Sequence, residues 1–104
     1  MKILAINAYN SQQSFKGQVK LRSKNLDIFD INLLKEKGGD IAEFAKNQKY
    51  DYIISKEFKM LNVTLMEKGR QIDNMIVVGY KDKEGNRNIE RVFDTIKLIT
   101  KTNK

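Results

Sequence analysis

Lys16, Lys20, Arg22 and Lys24 are the residues whose type and spacing speak most directly of a chemistry, and that chemistry is the holding of anions. From Met1 to Leu26 the chain carries these four and Lys2, with no Asp or Glu. From Phe15 to Arg22 the pattern alternates. Phe15, Gly17, Val19 and Leu21 fall on one side, and Lys16, Gln18, Lys20 and Arg22 on the other, which is the pattern of a half-buried strand. Side chains on such a face recur about every 6.6–6.8 Å, so the cations form a row that could track a phosphate backbone. The net charge of +7 and pI near 9.6 agree in sign with that use.

Two features weigh against it. Sixteen of the 20 basic residues are lysine and four are arginine, the side chain that forks onto phosphate or guanine. Phe15 falls on the same side as Val19 and Leu21, so the basic face carries no aromatic on which a base could stack. The same lysines also have a purely structural reading, because charges along an outer strand prevent edge-to-edge association.

Other chemistries find little support. The chain has no His and no Cys, which removes the commonest general base, thiolate nucleophiles and zinc–sulfur sites. Asp27 with Asp30, and Asp40 with Glu43, are the nearest carboxylate pairs, and such pairs on turns usually cap or face solvent. Lys35 to Asp40 places two glycines before a helix start without the phosphate-loop pattern, and Asp40 would compete for the phosphate position. Asp82 to Phe93 fails as a calcium loop, with Arg87 at the sixth position and Phe93 at the twelfth. The sequence therefore assigns no catalytic residue, no metal ligand and no cofactor. Lys16, Lys20, Arg22 and Lys24 stand as candidate anion or nucleic-acid contacts.

The elements that must position them read as one α+β domain over residues 1–104, a mainly antiparallel or mixed sheet of about five strands with two helices. Lys2 to Asn7 reads as a first strand and Asn7 to Ser14 as a loop. Arg22 to Asn25 reads as a turn, with Leu26 to Ile31 returning as a hairpin partner, although residues 26–37 suit strand or helix. Gly38-Gly39 is taken as a break, with a helix over 40–48 capped by Asp40 and Glu43. Tyr50 to Phe58 and Leu61 to Met66 read as strands. Asn74 to Tyr80 holds five consecutive apolar residues and reads as the interior strand of the sheet. Ile89, Val92, Phe93, Ile96 and Ile99 predict a helix over 88–100, started by Asn86 or Asn88.

No apolar run approaches the roughly 20 residues of a membrane span, and the start does not read as a secretory signal. The expected setting is cytoplasmic, without membrane contact. With no catalytic constellation, the expected role is a small non-catalytic protein-interaction domain, its partner another protein or a second copy, by edge-strand pairing or self-association. The alternative is a basic nucleic-acid-binding module using the N-terminal strand.

Overall fold

Turn chemistry sets the frame of the computed structural model, which describes residues 17–104 in full and the backbone of residues 3–5. Phe58 and Lys59, with φ of +51° and +66°, join strands β3 (Asp51–Glu57) and β4 (Met60–Glu67). Lys68 and Gly69, at +53° and +79°, join β4 to β5 (Arg70–Ile76). Two-residue loops with positive φ at both positions match the natural twist of antiparallel strands. Ahead of them come β1 (Ile3–Ala5) and β2 (Val19–Arg22), then helix α1 (Ile28–Ala45); α2 (Glu90–Thr102) closes the chain. The sheet is mixed, in the order β1-β2-β3-β4-β5, with β2 and β3 parallel and the other pairs antiparallel.

One apolar core fills the space between the sheet and both helices. Val19, Leu21, Tyr52, Ile54, Leu61, Val63 and Leu65 rise from the sheet to meet Leu34 and Ile41 of α1 and Val92, Ile96 and Ile99 of α2. Phe44 and Phe93 meet edge-to-face at 5.8 Å where the helices touch. The opposite sheet face, with Lys20, Arg22, Ile53, Ser55 and Thr64, has no helix over it among the described residues, and Ile53 on it is buried. Tyr52 carries a buried polar contact under α2. Its hydroxyl lies 2.6 Å from Thr100 Oγ1, which donates to the Ile96 carbonyl. Burial pushes that phenol up to about 12.

Three expectations need correction. Leu26 to Ile31 does not return as a strand. α1 begins at Ile28 and runs unbroken through Gly38 and Gly39 to Ala45, so no separate helix starts at Asp40. The glycines cost about 1 kcal/mol each relative to alanine, but a face made by Asp30, Leu34, Gly38, Ile41 and Ala45 is buried and holds the helix together. Residues 74–80 are not an interior strand either. β5 lies at the sheet edge and ends at Ile76, and its apolar run alternates, with Val77 3% exposed while Ile76 is 48% and Val78 76%. The interior position belongs to β3, where Tyr52, Ile53 and Ile54 are all buried. The expected loop over 7–14 lies outside the described residues, as do the first two residues of the strand expected from Phe15.

Other expectations hold in whole or in part. Asn25 turns the chain with φ of +70°. The cap position of α2 is taken by Ile89, not by Asn86 or Asn88, although Asn88 Oδ1 accepts the Glu90 N–H. No described helix is long and apolar enough to cross a membrane.

Two glycines test the packing in opposite directions. A Cβ on Gly39 would meet nothing within 4 Å, so Gly39→Ala should raise stability by about 1 kcal/mol in urea unfolding. A Cβ on Gly17 would collide with the carbonyl oxygen of Tyr50, in a segment held by Gly17 N–H to Gln48 O at 2.9 Å. Gly17→Ala should lower stability by about 1–3 kcal/mol.

Candidate functional site

The densest cluster of ionisable groups surrounds Asp30, which is 0% exposed. It begins as local structure. Asp27 caps α1, its Oδ1 accepting the Asp30 N–H at 2.8 Å, while Asp30 Oδ2 accepts the Asp27 N–H at 3.3 Å. This reciprocal pair satisfies two of the donors that a helix start leaves open. Tertiary structure then adds three donors. Tyr80 Oη and Arg87 Nε reach Asp30 Oδ1 at 2.6 and 2.9 Å, and Lys56 Nζ reaches Oδ2 at 3.3 Å. Arg87 also spans to Asp27 Oδ2 at 2.8 Å, with its guanidinium 5.5 Å from the Phe29 ring centre.

The electrostatics follow from this geometry. Burial would raise the Asp30 carboxyl, but hydrogen bonds from Tyr80, the Asp27 backbone and Lys56, with the Lys56 charge, together hold it below its ordinary 3.8. The Tyr80 phenol moves upward, through burial and through donating to a carboxylate. Both oxygens of Asp30 already accept two bonds each, so no lone pair is left for a substrate. The cluster is a fastening between the start of α1, the end of β3 and the 80–87 segment.

The basic residues singled out by sequence divide in three. Lys16 lies outside the described residues. Lys20 is half-buried on β2, away from the cavity around which the next two meet. Arg22 and Lys24 come together, at the carboxyl ends of the parallel strands β2 and β3, around a cavity of about 190 Å³ that Asn25, Ser55, Lys56 and Glu57 complete. Arg22 Nε is buried and has no hydrogen-bond partner among the described residues.

A third feature was missed by sequence reasoning. The β3–β4 turn holds Phe58 95% exposed, beside Met60 and Ile76, which with Glu57 and Asn62 line a shallow cavity. A bulky residue at positive φ pays a steric penalty that Asn or Gly would avoid. The signal was present in sequence, because a two-residue hairpin turn made of Phe and Lys breaks the usual turn chemistry. Beyond Ile76 lies the β5 edge, and it is guarded. A register shift opposite Leu65 and Met66 kinks it, and Asp73 Oδ1 accepts the Asn74 N–H at 2.8 Å.

No family model, no curated protein and no solved structure matches this chain.

Replacing Asp30 should be the costliest single change in the cluster. Asp30→Asn leaves Lys56 and Arg87 facing a neutral group and should cost about 3–5 kcal/mol in chemical denaturation at pH 7. Since folding lowers this carboxyl, its contribution is present above the unfolded value of about 3.9 and drains away as pH falls below it toward the folded value. The acid limb of the stability–pH curve should therefore be flatter in Asp30→Asn than in the parent. An equally steep limb in both would show that Asp30 does not drive acid unfolding.

Proposed function

We propose that this is a non-catalytic protein-interaction domain that docks a partner through the tip of its sheet. The observation that carries the reading is Phe58, an aromatic held almost wholly in solvent at positive φ, with Met60 and Ile76 beside it. Large apolar side chains at a rim of charge are what binding surfaces use as anchors. Strain of about 1–2 kcal/mol at a tip position serves no packing purpose within the chain itself, and strained backbone concentrates at functional sites.

Charge argues for the kind of partner. Each copy carries +7, so two copies repel; Lys59 shares the turn with Phe58, and Lys24 and Lys56 line the adjoining cavity. An acidic protein surface with a pocket for Phe58 fits both facts. Docking by the tip also suits the guarded state of the β5 edge, which disfavours strand addition.

Two measurements test this. Phe58→Asn combined with Lys59→Gly restores a favoured turn and should raise stability by about 1 kcal/mol. A photo-crosslinking phenylalanine placed at position 58 in the native cell should yield a discrete adduct with an acidic protein, absent when the probe replaces Lys83. An adduct of twice the chain's own mass, or none, would overturn the reading.

A further inference from the structure

We propose that the cavity at the carboxyl ends of β2 and β3 is a binding site for a small oxyanion, a phosphate or carboxylate group gripped by Arg22 with Lys24 and Lys56 beside it. Arg22 is a half-buried cation that forms no ion pair among the described residues, and its Nε is buried without a partner. A guanidinium donor withdrawn from water and given nothing in return is costly, and native structures supply such groups with a water, an ion or a ligand. A guanidinium presents planar pairs of N–H donors that match two oxygens of a phosphate or carboxylate.

The surroundings suit an anion and limit its size. Lys24 is exposed on the β2–α1 turn, and Lys56 spends one N–H on Asp30 Oδ2 at 3.3 Å, leaving further donors on a group that can offer three. Ser55 and Asn25 add neutral polar groups to the lining. Glu57 is the opposing charge, but it is exposed and makes no ion pair with Arg22, so solvent screens it. About 190 Å³ falls below the roughly 300–1,000 Å³ of pockets for drug-sized ligands. The space takes one anionic group, not a nucleotide.

Topology places the cavity where such sites recur. β2, α1 and β3 form a parallel crossover, and ligands of open sheets bind beyond the carboxyl ends of parallel strands. The helix start does not supply the attraction here, because the carboxylates of Asp27 and Asp30 stand at it and take two of its N–H groups. The grip comes from side chains, with Arg22 first. This site stands independently of the docking reading, since it rests on Arg22 and not on Phe58.

The test is a heteronuclear NMR titration of the full chain with sodium phosphate, and separately with sodium acetate, each against sodium chloride at matched ionic strength. Saturable movement of the Arg22 Nε–Hε signal with phosphate or acetate, absent with chloride, is the expected result, and the tighter arm identifies the group. Arg22→Gln should weaken binding by about tenfold or more without lowering the melting temperature in chloride, because it deletes an unpartnered charge. Arg22→Lys keeps the charge but loses the fork, and should bind more weakly than the parent. Equal shifts in all three salts, or undiminished binding by Arg22→Gln, would overturn the site. So would binding seen only with a single-stranded oligonucleotide and falling steeply with salt, which would assign the surface to a nucleic-acid backbone instead.

Discussion

The carboxylate of Asp30 is the interaction on which the arrangement of this domain depends. It gathers the start of α1, the end of β3 and the segment carrying Tyr80 and Arg87, elements separated by 26 to 57 positions in the chain. A charge removed from water is tolerated only where partners replace the lost hydration. Four donors do so here, and the consequence is geometric. Tyr80 is drawn inward, so the chain must leave β5 at Ile76 and turn at Gly79, whose φ is +79°. The point at which β5 ends thus follows in part from a contact made beyond it.

A fully satisfied carboxylate and an unsatisfied guanidinium sit on two sides of the same strand end. Lys56 links them, donating to Asp30 while lining the cavity that Arg22 enters. Groups whose hydrogen-bonding capacity is spent inside the fold stabilise it, whereas groups left with open capacity, or side chains held in strained exposure, are candidates for contact with something else. By that criterion Asp30 belongs to the scaffold, and Arg22 and Phe58 belong to the surface. Both surface features lie at the end of the sheet where β3 meets its turn, next to the helix start that Asp30 secures.

Much of the local architecture was legible. The alternation at Val19 to Arg22, the strands around Tyr52 and Val63, the turn at Asn25 and the terminal helix all follow from short-range pattern. The unalternating apolar run was the right signal for an interior strand but was assigned to the wrong run. Tyr52, Ile53 and Ile54 are all buried, whereas Met75 to Val78 has alternate residues in solvent. Likewise the aspartate pair at positions i and i+3 was the right signal for a helix start, but it applies to Asp27 and Asp30 rather than to Asp40 and Glu43. Of the candidate anion contacts, Arg22 and Lys24 meet around one cavity, while Lys20 does not line it.

The sequence by itself determined the class of structure, the two faces of β2 and the absence of histidine and cysteine from the chain, because those depend on residue type and on spacings of two to four positions. Tertiary structure alone decided which strand lies inside, whether α1 survives its two glycines, and which donors reach Asp30. Each of these is settled by burial against distant residues, whose energies exceed the roughly 1 kcal/mol of local preference that a short window of sequence records.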